Sequence, residues 1–353
     1  MNILVLAGGL SPERNVALST GAMVTQALRS KGHNVALVDC FMGLQENVTF
    51  DEQCKKDIPE SWFSVAKEAP KLKEIARSRG GDNSILGPGV LDLCKCADVV
   101  WLALHGGSGE DGRIPALLDL LGISYTGSDY LASGLAIRKD LAKTVVQTAG
   151  VRTPHWQFVT VDSQEAADKL LAEVKAPIVV KIPDGGSSVG VYVCKTQDEL
   201  KAAVNENIGE RLLIEEFIQG REIQMAFLRD KALPSIEIVA NKEFYDYESK
   251  YQKGIATEIT PADILPEQEE EMADMLLKVA KALNLYTYSR ADFIIDGAGR
   301  IYFIEINSLP GMTATSLVPQ EAAAAGISFP DLCEMIAEDG MKRRVGVAEY
   351  LDL

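Results

Sequence analysis

A chain of 353 residues with 47% hydrophobic and 24% charged side chains is ordinary for a soluble globular protein, and long enough for roughly two or three domains. Its formal net charge of −16 argues against a general affinity for nucleic acid or anionic membrane, so any anion site must be local. Six scattered cysteines, of which the close pair Cys94 and Cys96 lacks the spacer of common zinc knuckles, point to free thiols in a reducing cytoplasm.

The opening "MNILVLAGG" has no basic n-region and too short an apolar run for a signal peptide or membrane span, and reads as a first strand. With the helical stretch 15–30 and "HNVALVDC" it begins a parallel α/β sheet. "GGLSPER" lacks the three-glycine spacing of a dinucleotide fingerprint, which disfavours a nicotinamide cofactor. Glu13 at the next helix start either complements the helix dipole or holds an ammonium group. Residues 41–97 mix Pro59, Pro70 and Pro88 with "SRGGDNS" and read as an insertion or irregular helical segment without assigned chemistry. "ADVVWLALHGG" is a later strand ending in a glycine loop, the ligand edge of such sheets. His105 in that loop reads first as a hydrogen-bonded structural histidine. With three histidines in all, no serine, histidine and acid nucleophile set emerges.

From 151 the pattern becomes α+β. "TPHWQFVTV" and "APIVVKI" read as strands, 163–174 as a helix, and "TQDELKAAV" as a helix opened by a Thr196/Glu199 capping box. "KIPDGGSSVG" places glycines and hydroxyls after Lys181. Such a loop can present backbone N–H groups to phosphate, although a plain Gly/Ser turn between strands is the commoner case and the order is not that of a Walker loop. Three further strands, "RLLIEEFI", "REIQMAFL" and "LPSIEIVA", precede a polar aromatic loop, "EFYDYESKYQKG", of the kind that often closes over a site, although a plain solvated loop is the favoured reading of these residues alone. An amphipathic helix is expected over 267–284.

The hairpin 291–307, "ADFIIDGAGRIYFIEIN", turns at "DGAG". If Ile295 pairs with Tyr302, Asp292 lies opposite Glu305 and Arg290 opposite Asn307. Facing carboxylates repel by up to about 1 kcal/mol when exposed and by more when buried. A divalent ion would remove the conflict, and two carboxylates with an amide suit Mg²⁺ or Mn²⁺ better than zinc. A surface hairpin with solvated acids is the plain alternative.

Six blocks then occur in one order: "GGLSPERNVALSTG", "LHGGSGEDG", "YTGS", "VVKIPDGGSSVGV", "YDYESKY" and "RADFIIDGAGRIYFIEINSLPGMTATSLVPQEAAAAG". Spanning residues 8 to about 326, they resemble the D-alanine–D-alanine ligase family of the ATP-grasp superfamily. The resemblance implies an α/β chain of three domains: a Rossmann-like N-terminal domain at 1–127, a central ATP-grasp subdomain at 128–214 and a C-terminal one at 215–353. It implies ATP-dependent joining of two D-alanines through an acyl phosphate for peptidoglycan, with ATP and two Mg²⁺ ions, for which Mn²⁺ substitutes. It also implies a cytoplasmic homodimer with no nucleic-acid or membrane partner.

By the same resemblance, Asp292, Glu305 and Asn307 are expected as metal ligands, and Arg290 with the Gly311 backbone as oxyanion donors. Glu13 is expected to bind the first substrate's ammonium group, with His105 nearby. Ser316 and Leu317 would take the second substrate's carboxylate. Ser187 and Tyr251 would link the two loops over the site, with Lys250 reaching the γ-phosphate. Lys139 and Lys181 are expected on the phosphates, Glu215 and Glu222 on adenine and ribose, and Phe217–Ile218 as the adenine hinge. Two positions depart from the family pattern, Ile182 for proline and Ser289 for glycine. The alternatives are a sister ligase using D-lactate or D-serine, another ATP-grasp carboxylate–amine ligase, a biotin-dependent carboxylase, which would lack Glu13 and "SLPGMTATSL", and a non-enzymatic nucleotide binder, which would have lost Arg290 or a metal ligand.

Overall fold

The computed structural model describes residues 1–44, 46, 48–65, 68–183, 185, 190–240, 256–313, 315–343 and 345–346. Strands β1 (Asn2–Ala7), β2 (Asn34–Asp39) and β3 (Val99–Leu102) form a parallel sheet in the order β2-β1-β3, with α1 (Arg14–Ser30) crossing between the first two. The run Ile3 to Ala7 is fully buried, as a central parallel strand covered on both faces requires. Segment 41–97 forms short helices, α2 (Phe50–Cys54), α3 (Leu72–Ser78) and α4 (Val90–Cys96), with a 3₁₀ turn at Glu60–Phe63. Arg79 gathers it: the guanidinium lies 4.5 Å over the Phe41 ring and donates to the carbonyls of Ser84 at 2.6 Å and Leu86 at 3.1 Å.

After α5 (Arg113–Leu120), α6 (Tyr130–Ile137) and α7 (Lys139–Thr148), a second sheet forms from β4 (Trp156–Thr160), β5 (Ile178–Lys181), β6 (Val191–Cys194) and β7 (Arg211–Glu216). It is antiparallel, in the order β4-β7-β5-β6, with α8 (Gln164–Glu173) and α9 (Gln197–Glu206) contributing to its core. The expected capping box is present: Thr196 Oγ1 accepts from the Glu199 N–H at 3.3 Å and Glu199 accepts from the Thr196 N–H at 2.9 Å.

The third sheet contains β8 (Gly220–Leu228), β9 (Lys231–Ala232), β10 (Ile236–Ala240), β11 (Ala256–Ile259), β12 (Tyr288–Asp296) and β13 (Ile301–Asn307), antiparallel in the order β11-β10-β8-β12-β13 with β9 on β8. Helices α10 (Pro266–Ala282), α11 (Leu317–Ala324) and α12 (Phe329–Met341) complete the fold. Packing groups these elements differently from the expected chain-order division. Ala132, Ala136, Ala142 and Val146 of α6 and α7 share a core with Phe293 and Phe303 of the third sheet. The expected boundary at 214/215 falls inside β7, which is a strand of the second sheet. Leu332, Cys333, Ile336 and Ala337 of α12 lie in the core of the first sheet, where Trp101 Nε1 donates to the Cys333 carbonyl at 3.4 Å.

In the hairpin, Arg290 faces Asn307 and Asp292 faces Glu305, as expected, but the assumed pairing of Ile295 with Tyr302 is not the one that forms. Ile295 pairs with Ile301 and Ile294 with Tyr302, and a bulge between Asp292 and Phe293 absorbs Ile304. The extra residue reverses the alternation of faces. Phe303 therefore pairs with Phe293 in the core, ring centroids 6.1 Å apart, while Glu305 and Asn307 remain on the opposite face with Asp292 and Arg290. In a regular strand Phe303 would share the face of the acids.

The ends of β1 and β2 are locked by a buried ion pair between Arg14 and Asp39. Arg14 also donates to the Gly9 carbonyl at 2.6 Å, and Asp39 accepts from the N–H groups of Phe41 and Met42, each at 3.0 Å. Removing one partner strands the other charge in a buried setting. Arg14→Ala is expected to cost about 3–5 kcal/mol of stability, read as a lowered urea midpoint.

Candidate active site

A cavity of about 390 Å³ opens where the glycine loops of the first sheet meet the end of the β12–β13 hairpin. The first domain contributes Glu13, His105 and Glu110, α7 contributes Lys139, and the third sheet contributes Arg290, Glu305 and Asn307. The turn that follows supplies Gly311, and the start of α11 supplies Ser316 and Leu317.

Two glycines make close approaches possible. Gly106 adopts φ +66°, and a Cβ there would stand 2.7 Å from Glu13 Oε2, so the loop backbone lies directly against that carboxylate. A Cβ on Gly311 would meet Ser316 Oγ at 2.7 Å. Ser316 Oγ accepts from the Thr313 N–H at 2.9 Å and Ser316 precedes the first turn of α11, so the N-terminal N–H groups of that helix border the cavity, a setting that favours a carboxylate.

His105 lines the cavity with both ring nitrogens engaged. Nδ1 lies 3.0 Å from the Leu309 carbonyl, which can only accept, so Nδ1 carries the proton and Nε2, 2.9 Å away, accepts from Thr20 Oγ1. Burial holds its pKa below the usual imidazole value. The histidine thus braces α1 against the 308–312 turn. Glu110, which sequence reasoning passed over, accepts from the Gly106 N–H at 2.7 Å; burial, with Glu13 adding to it, pushes its carboxyl up to about 8.

The facing acids are held by cations from two elements. Arg290 donates to both oxygens of Asp292, at 2.9 and 3.3 Å, and Lys139 Nζ lies 3.2 Å from Glu305 and donates to the Gly185 carbonyl at 2.6 Å. Burial opposes the charge on Arg290, but Asp292 and then Glu305 keep its pKa above normal. Asp292 is 6% exposed, so the plain alternative of a solvated surface hairpin does not hold for it. Asn307 Oδ1 accepts from the Leu309 N–H at 3.0 Å, which fixes the amide and leaves an oxygen lone pair available. Among the described residues no group of three or more His, Cys, Asp or Glu side chains could hold a metal. The available donor set is instead two carboxylates and an amide oxygen, hard ligands that fit Mg²⁺.

Behind these acids lies a second buried cluster. Glu215 on β7 is held by Lys143 Nζ at 2.8 Å and by Lys181 Nζ at 2.5 Å. Lys143 also donates to Thr153 Oγ1 at 2.6 Å. Burial pulls the Lys143 ammonium down to about 8 although Glu215 opposes it, whereas for Lys181 the fields of Glu215 and Glu305 outweigh burial and raise it. Lys143 was not among the expected ligands. Its signal was the i, i+4, i+7 spacing of Lys139, Lys143 and Val146, which puts both lysines on the buried face of α7. Phe217 and Ile218 lie half-buried in the link from β7 to β8, and Glu222 on β8 accepts from Gln224 at 3.4 Å. Ser187, Lys250 and Tyr251 lie outside the described residues.

Acids on one antiparallel sheet are set against buried lysines from α7 and from β5 of the other, with a parallel sheet closing the cavity, the arrangement of the ATP-grasp class. Family models described as the D-ala D-ala ligase N-terminus and C-terminus match residues 2–128 and 145–338. The D-alanine–D-alanine ligase of Pediococcus pentosaceus is 40% identical over 342 residues, which are 95% of this chain and 96% of that protein. A crystal structure of the Bacillus anthracis D-alanine–D-alanine ligase complexed with ATP superposes with a TM-score of 0.72 at 30% identity, covering 96% of both chains. The VanG D-Ala:D-Ser ligase of Enterococcus faecalis gives the same TM-score at 25% identity over 96% of this chain and 98% of that one. The chain belongs to the D-alanine–D-alanine ligase family, ATP-dependent enzymes that form ADP as they join two D-alanines.

The raised pKa of Glu110 has a signed consequence for stability. Between its ordinary value of 4.5 and about 8 the folded chain holds a proton that the unfolded chain has released, so this group's contribution to stability falls as pH rises through that window. Glu110→Gln is expected to flatten the loss of stability between pH 5 and 8, measured by urea unfolding across that range.

Proposed function

We propose that the cavity joins two D-alanine molecules at the expense of ATP and that its residues divide the work as follows. Glu13 holds the ammonium group of the first D-alanine at the edge of the first sheet. That molecule's carboxylate receives the γ-phosphoryl group of ATP, giving an acyl phosphate and ADP. The second D-alanine lies with its carboxylate at the N-terminus of α11, by Ser316 and Leu317, and its amine, once deprotonated, attacks the acyl carbon. The developing oxyanion lies within reach of Arg290 and the Gly311 N–H, each such donor being worth about 3–4 kcal/mol. Phosphate then leaves and the dipeptide remains.

On the nucleotide side the reading assigns the phosphates to Lys139 and Lys181, with Lys143 supporting Glu215. Glu215, Glu222 and the Phe217–Ile218 link take adenine and ribose. Asp292, Glu305 and Asn307 would hold Mg²⁺, which when bound neutralises phosphate charge and polarises the transferred group. Ser187, Lys250 and Tyr251 keep their assigned roles in closure and at the γ-phosphate. A cytoplasmic homodimer belongs to the same reading, and no helix among the described residues is long and apolar enough to cross a membrane.

The observation that carries the reading is the facing pair Asp292 and Glu305, each already matched with a cation, beside a carboxylate at Glu13 and a helix N-terminus at α11. Phosphate release from ATP and Mg²⁺ with D-alanine alone, with D-alanyl-D-alanine identified by mass, is the expected result. A dominant mixed product in competition with D-lactate or D-serine would move the chain to a sister activity. Glu305→Gln is expected to lower kcat by at least about 100-fold while leaving the folded spectrum intact, and wild-type turnover in that variant would refute the metal site.

A further inference from the structure

Helix α11 carries Ser316 and Leu317 at its start, and three of its side chains fasten it to three different strands. Leu317 packs with Ile236 and Ile238 of β10. Gln320 Nε2 donates to Glu258 Oε2 on β11 at 2.6 Å. Glu321 is fully buried, and its Oε1 accepts from the Ala226 N–H on β8 at 3.1 Å.

The position of that last bond matters. Ala226 lies in the gap between β10, which pairs with β8 as far as Gln224, and β9, which resumes at Phe227. The Leu233 N–H meets the Ala226 carbonyl at 2.8 Å, and the Ala226 N–H, which points to the same side of the strand, is taken by the Glu321 carboxyl. Across the sheet Ala226 is in register with Arg290. The second oxygen of Glu321 has no hydrogen-bond partner among the described residues, and after burial the charge that acts most on the carboxyl is that of Arg290. A buried acid spent on one backbone N–H costs desolvation, and a core helix needs no such group for packing alone.

We propose that Glu321 is a positioning residue for the acceptor: by closing the ladder gap at Ala226 it fixes the start of α11, and with it Ser316 and Leu317, relative to Arg290. The proposal rests on the ligase reading above. Glutamine at this position keeps an acceptor oxygen, whereas leucine fills similar space and supplies none.

The test is steady-state kinetics of the full-length enzyme, resolving the KM of each D-alanine and of ATP. Glu321→Leu is expected to raise the KM of the second D-alanine about ten-fold, since small displacements of a binding group have effects of this order, with the KM of ATP and of the first D-alanine unchanged. Glu321→Gln is expected to restore the wild-type value. Should Glu321→Leu fail to fold, Gln320→Ala, which cuts the less buried anchor to β11, is expected to move the same KM in the same direction. A lowered melting temperature with every KM unchanged would make Glu321 a purely structural group and overturn the proposal. Wild-type enzyme that releases no phosphate with D-alanine would overturn the ligase reading and this proposal together, whereas active wild type with unmoved variants overturns the anchor alone.

Discussion

Two carboxylates, Asp292 and Glu305, face one another across neighbouring strands, and the site is organised around the cost of keeping them there. Neither acid is relieved by solvent alone. Arg290 grips Asp292 from the same strand, and Lys139 reaches Glu305 from α7. The repulsion thus becomes a tether between elements far apart in sequence. It also keeps Arg290 charged despite its burial, as the proposed role of oxyanion donor requires. Lys143 and Lys181 repeat the pattern one layer away, two ammonium groups on a single carboxylate. The two sheets meet along alternating charges that would be untenable singly.

What sequence could foretell here followed the range of the interaction. The capping box at Thr196 involves residues three apart and is visible in the order of letters. So is the opposition of Asp292 to Glu305, although the pairing from which it was expected does not form, because Ile304 is an ordinary strand residue and nothing marks it as the one to be bulged out. The family's blocks were recognisable as blocks. Buried anchors were harder to see: Glu110 and Glu321 sit inside those blocks but look like surface residues until the tertiary structure covers them, and only helical spacing marks Lys143. Packing crosses the division by chain order for the same reason. Helices α6 and α7 precede the second sheet in sequence but pack against the third, since that is where an apolar face awaits them.

Polar residues around the cavity act more as braces than as reagents. His105 spends both nitrogens on Thr20 and Leu309, and Asn307 anchors its own turn at Leu309. Gly106 and Gly311 let backbone come within contact of Glu13 and Ser316, where any side chain would hold it away. Such a site achieves accuracy through neighbours that cannot move independently.

The last long helix closes the core of the first sheet. Trp101 and Cys333, bonded in the finished protein, are separated by 232 residues. At a synthesis rate of about 5–20 residues per second, the first parallel sheet waits on the order of 10–50 s at the ribosome with one apolar face uncovered. During that interval the nascent chain is exposed to aggregation, because the segment that will shield it has not yet been made.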